Sequence, residues 1–279
     1  MRRLTFLQQI KWYVITSLIM VIFCFPIYWA SVNSVKPPLE IFAGSWFPFL
    51  QFKPTIHNWM VELGTEEVRK ALFNSTLIST VSTIIVLSIG SLAAYGLFRF
   101  KFVGVKRQDI VVWFLSLRVM PPVVFIVPFF IMMKTFGLLD TPCALILINV
   151  TFTLPFAVII LWETFREIPV AVVEAAYIDG ASEWQIFHKI AVPLSSSAMI
   201  AVGIICLAFV WNEFLFALTL TYKEAIVMPV LIGGTEHTRG IEFWFVATRT
   251  LLAMTVPIVI ALSVQRYLVR GLTLGAVKG

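Results

Sequence analysis

The stretch EAAYIDGASEWQIFHKIAVP, residues 174–193, is polar in a chain that is otherwise strongly apolar. Of the 279 residues, 59% are hydrophobic and only 13% are charged, and the mean hydropathy is +0.93. Soluble domains usually carry about 25% charged residues, so this composition indicates a membrane protein. The apolar runs are long and do not alternate, which favours helices over a β-barrel. We therefore predict an all-α membrane protein in which residues 174–193 lie outside the lipid.

Six apolar segments have roughly the length that a helix needs to cross a bilayer. They are residues 12–32, 73–98, 110–133, 143–162, 197–220 and 243–264. The first of them is longer than the apolar core of a signal peptide, so we expect it to remain in the chain as a span. We expect the whole chain, residues 1–279, to form one transmembrane domain, with a polar segment at 163–196 between the fourth and fifth spans.

Lys and Arg residues outside the spans orient the chain. Twelve lie at the N-terminus, in the loop 99–109, in the polar segment and in the C-terminal tail, whereas seven lie in the other loops. Positive residues close to span ends stay in the cytoplasm, so we expect both termini and the polar segment to be cytoplasmic. The net charge of +6 is spread over these short loops. It therefore reflects topology and gives no support to nucleic acid as a partner.

The first half of the polar segment carries signals for a short helix followed by a tight turn. Pro169 suits a first helical position, and residues 170–178 are good helix formers. Gly180 fits the residue just past a helix end, where a left-handed conformation is needed. We also expect Gly180 to let the two helices that flank the turn approach closely.

The second half predicts another short helix. Ser182, with Gln185 three residues later, forms the pattern of a capping box. We expect this helix to run to about Ala191, because Pro193 discourages its continuation. Helical spacing places one set of apolar side chains on a shared face. That set is Trp184, Phe187, Ile190 and Ala191.

An amphipathic loop lying at the lipid headgroups is the alternative interpretation of this segment. Its polar side is acidic, however, since Glu174, Asp179 and Glu183 outnumber Arg166 and Lys189. Anionic lipid would be repelled by such a face, so we favour a protein partner.

Three short patterns in the polar segment carry a family resemblance. EAA at 174–176 is followed by DGA at 179–181 and by a hydrophobic–hydrophobic–Pro ending at 191–193. This order resembles the EAA loop of permease subunits from binding-protein-dependent ABC importers, with Val192 where Leu is commoner. The residues that match the motif are Glu174, Ala175, Ala176, Gly180, Ile190 and Pro193.

The resemblance extends along most of the chain. FREIP at 165–169, RVMPP at 118–122 and WNEFLFAL at 211–218 are similar to segments of the same permeases. The ending GLTLGAVKG, residues 271–279, resembles the tail of carbohydrate permeases similar to the inner subunit of maltose transporters. The resemblance therefore implies the sugar-importing branch of the family.

This resemblance implies a multi-pass subunit of a bacterial or archaeal cytoplasmic (inner) membrane. It implies four kinds of partner besides the lipid bilayer: a second homologous permease, two ATP-binding subunits and an extracytoplasmic sugar-binding protein. The polar segment would sit in a cleft of the ATPase subunit and transmit its closure to the spans, and the tail beyond Arg270 would add a second contact. The residues expected to carry this coupling are Glu174, Ala175, Ala176, Asp179, Gly180, Ala181, Phe187 and Pro193.

We expect no catalysis and no cofactor on this chain. A phosphate-binding GxxxxGK[ST] sequence does not occur, so ATP and Mg²⁺ would be bound by the partner ATPase subunits. Cys24, Cys143 and Cys206 lie in apolar runs without a CxxC spacing, and we interpret them as small buried hydrophobes. The three histidines are far apart, and we find neither a metal site nor a Ser/His/Asp arrangement.

Polar residues inside the predicted spans are candidates for a transport pathway. A charge at the bilayer centre costs roughly 2.5–3.5 kcal/mol on insertion scales, so each should face water or a partner helix. Pro121 and Pro122 predict a helix break beside Arg118, where a polar cavity could open. A structural ion pair, of Glu213 with Arg118 or with Arg249, is the alternative. Aromatic side chains can pack on the apolar faces of a sugar, and amide groups can bond its hydroxyls. The pathway candidates are Arg118, Asn149, Trp211, Asn212 and Glu213.

The loop 221–242 contains Gly233 and Gly234. By resemblance it corresponds to the segment that probes the cleft of a docked binding protein, although an ordinary connecting loop is the alternative.

We therefore expect a permease subunit of an ATP-driven importer of a sugar or polyol. Another solute, such as an oligopeptide, a polyamine or a phosphate-bearing molecule, is the alternative within the same class. An ion-driven secondary carrier is disfavoured because we find no internal repeat of spans, and a membrane enzyme because no acid–base or metal residues cluster.

Overall fold

The computed structural model describes residues 6–234, 236–237, 240–241 and 243–273. Within these residues the regular secondary structure is helical apart from a hairpin of two-residue strands, β1 (Glu236–His237) and β2 (Gly240–Ile241), so the all-α prediction is confirmed. The α-helices are α1 (Phe6–Ser34), α2 (His57–Gly64), α3 (Glu66–Arg99), α4 (Arg107–Val119), α5 (Ile126–Thr135), α6 (Pro142–Arg166), α7 (Val170–Ile178), α8 (Glu183–Ile186), α9 (Val192–Leu194), α10 (Ser196–Trp211), α11 (Leu215–Leu220), α12 (Met228–Gly233) and α13 (Phe243–Thr273).

Four described helices, α1, α3, α6 and α13, are long and apolar enough to cross a membrane. Two pairs of helices would raise the number to six if each bent pair formed one span. One pair joins α4 to Pro122–Thr135 with a bend of 86°, and the other joins Glu183–Leu194 to α10 with a bend of 76°. The chain is therefore a multi-pass membrane protein.

The third predicted span, 110–133, contains the break that its prolines indicated. α4 ends at Val119, and a 3₁₀ turn at Pro122–Phe125 leads into α5. The fifth predicted span, 197–220, was wrong as an uninterrupted run, because Asn212, Glu213 and Phe214 separate α10 from α11. No proline marks this second break.

The chain divides into two compact units, with boundaries inside α3, α12 and α13. The first lies within Met1–Arg69 and Leu231–Met254, and the second within Lys70–Val230 and Thr255–Gly279.

In the first unit, the connection after α1 folds around a buried lysine. Lys36 has no exposed surface, and its ammonium lies 4.5 Å from the centroid of the Trp29 ring. Burial lowers the pKa of Lys36, and the nearby Glu40 carboxylate offsets part of that shift. The amide of Asn58 on α2 donates to the carbonyls of Ser34 (3.0 Å) and Lys36 (2.9 Å), which fixes α2 against the end of α1.

The second unit has two apolar clusters along α3. One surrounds the Arg99 end of α3 and includes Leu161, Phe165, Ile186 and Phe187, so α6 and the polar segment share this core. The other includes Ile78, Met133, Leu145, Phe216 and Leu220, from α3, α5, α6 and α11. Between them α3 and α6 approach closely at Gly90, where a Cβ atom would lie 3.3 Å from that of Ala157.

Candidate functional site

The first half of the polar segment folds as the sequence indicated. α7 begins directly after Pro169, which is the residue preceding the helix and not its first position. Gly180 has φ +79°, and the backbone N–H of Ala181 donates to the carbonyl of Ala176 (2.9 Å). No atom lies within 4 Å of a Cβ built at Gly180, so close packing does not require a glycine at this position. The glycine is required by its left-handed backbone conformation.

The second half begins with the capping box that the sequence indicated. Ser182 N–H donates to Oε1 of Gln185 (2.8 Å), and the Gln185 N–H donates to Oγ of Ser182 (3.3 Å). After α8, the chain forms a π turn at Phe187–Ala191 and continues through α9 to Leu194. The prediction that the helix ends near Ala191 was therefore wrong. Pro193 is the second residue of α9, which directly follows the π turn.

The apolar face of this half was only partly predicted. Phe187 and Ala191 are buried and Ile190 is half-buried, but Trp184 is 61% exposed. Ile186, which was not in the predicted set, is 1% exposed. Trp184 and Ile186 both lie in α8, which is only one turn long.

Several of the residues predicted for coupling lie on the exposed face of the polar segment. Ala176 and Phe187 are buried and Ala181 is half-buried, and these three hold the segment on the core of unit 2. Among the described residues, neither Glu174 nor Asp179 has an ion-pair partner. The exposed members of the predicted set are Glu174, Ala175, Asp179, Gly180 and Pro193.

Glu183 was expected on the outer polar face, but it points toward α3. Its carboxylate accepts hydrogen bonds from Tyr95 Oη (3.0 Å) and from Arg99 Nε (3.1 Å), both on α3, and from the Tyr177 hydroxyl on α7. The Arg99 guanidinium also lies 4.8 Å from the centroid of the Tyr177 ring. Burial and the hydrogen bond to Glu183 raise the pKa of Tyr177. We call these four residues the Glu183 cluster.

The break between α4 and α5 and the break between α10 and α11 border the same cavity, of about 410 Å³. Four of the five pathway candidates line it, namely Arg118, Asn149, Asn212 and Glu213. Aromatic rings at Phe152, Phe209, Phe214 and Phe216 line it too. The fifth candidate, Trp211, is 5% exposed and does not line this cavity.

The charged groups at this cavity do not pair with each other. Glu213 accepts hydrogen bonds from the backbone N–H groups of Phe216 (2.8 Å) and Ala217 (3.0 Å) at the start of α11. The Arg118 guanidinium lies 5.2 Å and 5.3 Å from the ring centroids of Phe156 and Phe209, and it has no acidic partner among the described residues. The predicted pairing of Glu213 with Arg118 was therefore wrong.

The alternative pairing, of Glu213 with Arg249, was wrong as well. In unit 1, Arg249 donates from Nε to Oε2 of Glu62 on α2 (2.7 Å) and from Nη2 to Oε1 (3.2 Å). Both side chains are largely buried, at 11% and 2% exposure. Glu62 was missed because it lies on a short helix outside the predicted spans, 187 residues from its partner.

Residues 222–228 are held by contacts that the sequence did not indicate. Oδ1 of Asp140 accepts the backbone N–H groups of Tyr222, Lys223 and Ala225, and Oδ2 accepts that of Glu224. Gly233, at the end of α12, and Gly234, in the turn after it, follow this segment. The loop residues between Gly234 and α13 lie partly outside the described residues, as do the side chains of the tail beyond Arg270 for which a second contact was predicted.

A protein family described as binding-protein-dependent transport system inner membrane component matches residues 87–274. The chain belongs to this family. The trehalose transport system permease protein SugB of Mycobacterium tuberculosis is 34% identical over 271 residues, covering 96% of this chain and 97% of SugB. The trehalose/maltose transport system permease protein MalG of Thermococcus litoralis is also 34% identical, covering 95% of this chain and 96% of MalG.

A solved structure with the same permease fold is a chain of a bacterial ABC transporter that imports the acidic polysaccharide alginate. The TM-score is 0.77 at 19% identity, covering 95% of this chain and 99% of that one. The part of the permease matched by the family includes the polar segment, the cavity and the Glu183 cluster. The match begins part-way along α3, so α1 and α2 lie before it. Residues 222–228 lie inside it.

Proposed function

We propose that this chain is one permease subunit of an ATP-driven importer of a sugar or polyol. It works with a second homologous permease, two ATP-binding subunits and an extracytoplasmic binding protein, in a bacterial or archaeal cytoplasmic membrane. Both termini and the polar segment are cytoplasmic. ATP and Mg²⁺ are bound by the partner ATPase subunits, and this chain catalyses no reaction.

The exposed face of the polar segment is the observation that carries this proposal. The segment is mounted on a buried apolar base, yet Ile178 (87% exposed) and Trp184 (61% exposed) project from it together with the unpaired carboxylates of Glu174 and Asp179. Exposed apolar groups of this kind mark an interaction site, and two short helices depend on packing for their stability. Their apolar and acidic groups suit a cleft in an ATP-binding subunit, whose closure then moves the base of the segment.

The cavity supports a small, hydroxylated substrate. A volume of about 410 Å³ is within the usual range for small-molecule sites, and this cavity combines aromatic faces with amide groups. Sugars present both hydroxyl groups and apolar ring faces, so they match such a lining. The names of the two permease relatives support the same substrate class.

The polar segment can be tested with one substitution and a matched control. Gly180→Arg places a bulky residue at a left-handed position on the exposed face, so we expect loss of both uptake and copurification of an ATP-binding subunit. Gly104→Arg is the control, because Gly104 also has positive φ (+80°) and open space around it but lies in the loop 99–109. Normal uptake and normal copurification with Gly180→Arg would contradict the coupling role.

The cavity is tested by Asn212→Ala and Arg118→Ala, with Ser116→Ala as the control. Ser116 lies on α4 close to Arg118 but does not line the cavity. We expect both cavity variants to raise the substrate concentration for half-maximal uptake while the complex still assembles. Unchanged uptake kinetics would remove these residues from the pathway.

An acidic sugar is a second candidate substrate class, and one observation favours it. Arg118 brings a positive charge to the cavity and forms no ion pair among the described residues, whereas the Glu213 carboxylate at the same cavity is held by backbone N–H groups. If the substrate is acidic, Arg118→Ala should weaken uptake much more than Asn212→Ala does. Equal effects of the two substitutions would favour a neutral sugar.

A further inference from the structure

Both ends of α3 are fastened to segments that are remote in sequence. At the Arg99 end, the helix binds the polar segment through the Glu183 cluster. At the other end, Nδ2 of Asn74 donates to the carbonyls of Glu224 (2.9 Å) and Ile226 (3.0 Å). Oγ of Ser75 accepts the backbone N–H of Met228 (2.8 Å).

The distance between the two attachment points is long enough to span a bilayer. Asn74 and Arg99 are separated by 25 residues of one helix, which corresponds to about 37 Å at 1.5 Å per residue. The hydrocarbon core of a bilayer is about 30 Å thick. A single helix therefore joins the segment proposed to be cytoplasmic to residues 222–228 on the far side.

Continuity makes α3 suited to transmit a displacement. Among the described candidate spans, α1, α6 and α13 contain Pro26, Pro155 and Pro257, and the two paired spans are bent by 86° and 76°. α3 contains no proline and runs unbroken. Proline and helix breaks are two of the causes of kinks in helices, and α3 has neither.

The Glu183 cluster supplies what packing alone does not. The Tyr95 ring contacts the Phe187 ring, with centroids 5.1 Å apart, so pushing the polar segment toward α3 displaces the helix. Charge-assisted hydrogen bonds are directional and stronger than neutral ones, so they add to the apolar contacts of this core. The bonds from Arg99 and Tyr95 to Glu183 hold α3 to the polar segment when the segment moves away.

We propose that α3 transmits the motion of the polar segment to residues 222–228 across the membrane, with Arg99 and Glu183 as the positioning residues at its cytoplasmic end. This inference rests on the proposed function, because it requires an ATP-binding subunit to move the polar segment. It adds a defined route, because α3 is not contiguous in sequence with the polar segment and meets it through the Glu183 cluster and the shared apolar core.

The test uses the complex that copurifies with a tagged form of this chain. A fluorophore is attached at Lys223→Cys, whose native side chain is 79% exposed. Cys24 and Cys143 are first replaced by serine because they are exposed, and the prediction that all three cysteines are buried was wrong for these two. Fluorescence is recorded on addition of ATP with Mg²⁺, and ATP hydrolysis is measured in the same sample. In the otherwise native chain we expect both an ATP-dependent signal at position 223 and hydrolysis.

Arg99→Gln and Glu183→Gln should reduce the ATP-dependent signal about tenfold, the factor expected when a charged hydrogen bond is lost, while hydrolysis and copurification are kept. Arg166→Gln is the matched control, because Arg166 forms an ion pair with Glu163 (2.9 Å) on α6 without contacting the Glu183 cluster. Arg99→Lys should recover part of the signal, since it keeps the charge. Asn74→Ala should reduce the signal from the other end of α3.

A signal like that of the unaltered complex in both Arg99→Gln and Glu183→Gln would overturn the proposal. So would a parallel loss of signal, hydrolysis and copurification, since the cluster would then only hold the fold. If the other variants assemble poorly, Tyr177→Phe is used, because it removes one hydroxyl of the Glu183 cluster and keeps the ring. A reduced signal with hydrolysis and copurification kept would support the proposal, and an unchanged signal would contradict it. Failure of the proposed function would look different, because the unaltered complex would then contain no ATP-hydrolysing subunit.

Discussion

Replacing Asp140 with asparagine should release residues 222–225 while leaving the rest of the chain folded. Asp140 has φ +57°, a left-handed conformation that asparagine also accepts, so the substitution changes the hydrogen bonding and not the backbone strain. The carboxylate receives four backbone N–H groups, at 3.1, 3.2 and 3.0 Å to Oδ1 and 2.8 Å to Oδ2. In the asparagine variant, an NH₂ group replaces Oδ2 and faces the Glu224 N–H, donor against donor.

The size of the effect follows from these bonds. A donor that loses its acceptor in a buried setting costs about 1–3 kcal/mol, and bonds to a charged acceptor are stronger than bonds to a neutral one. Since the four bonds share one carboxylate and do not add, we expect a total of roughly 2–3 kcal/mol for local opening. This free energy corresponds to about a 30- to 150-fold increase in the open population of the segment.

Amide hydrogen exchange in a peptide covering residues 222–225 measures that population directly. The protection of these amides should fall by the same factor in Asp140→Asn. Asp109→Asn is the control, because Asp109 is exposed in the first turn of α4 and holds no other segment. Protection within about twofold of the native value would show that the carboxylate does not hold the segment.

Acid should have the same effect on the native chain. Burial alone would raise the pKa of Asp140, but the four backbone N–H groups outweigh it and lower that pKa below its ordinary value. A lowered pKa means that the stabilisation is complete above about pH 4, the unfolded value, and is lost as the pH falls through the folded value. The difference in protection between the native chain and Asp140→Asn should therefore shrink as the pH falls below about 4, and a difference that does not shrink in acid would contradict this assignment.

Two further substitutions test the packing of the units by thermal unfolding of the purified chain. Glu62→Gln leaves the guanidinium of its partner on α13 buried without an anion, so it should lower the free energy of unfolding by about 3–5 kcal/mol. Glu163→Gln, in an exposed pair, should lower it by less than about 1 kcal/mol. Equal effects would show that burial of the pair is unimportant. Gly90→Val should lower the free energy of unfolding by about 1–3 kcal/mol, because a Cβ at Gly90 lies 3.3 Å from that of Ala157. Gly96→Ala, on the same helix but with open space around it, should raise that free energy by about 0.5–1 kcal/mol. Equal stability of these two variants would refute close packing of α3 on α6.

Local signals in the sequence predicted the elements of the polar segment well. The range of α7, the left-handed conformation of Gly180 and the Ser182–Gln185 capping box were all confirmed, because each depends on residues within three or four positions of one another. The break after α4 was predictable for the same reason, since Pro121 and Pro122 act on their own backbone. The π turn was not predictable, because the pattern of apolar residues there fits a regular helix equally well.

Partners of charged side chains could not be predicted in the same way. Sequence reasoning identified Glu213 and Arg249 as charges in need of a partner but paired them wrongly. Arg249 binds Glu62, and Glu213 binds the backbone at the start of α11, so neither partner was among the charges inside the spans. The cost of burying a charge indicates that a partner exists, but its identity depends on contacts between distant parts of the chain.

The positions of the helix breaks account for the different roles proposed for the helices of unit 2. A break frees backbone groups that lipid cannot satisfy, so it must face protein or water. The breaks after α4 and after α10 border one cavity, and the Glu213 carboxylate accepts the N–H groups that the second break frees. A broken helix gains a polar lining but loses stiffness along its axis. An element that carries motion across the membrane must therefore be a different one, and the unbroken α3 meets that requirement.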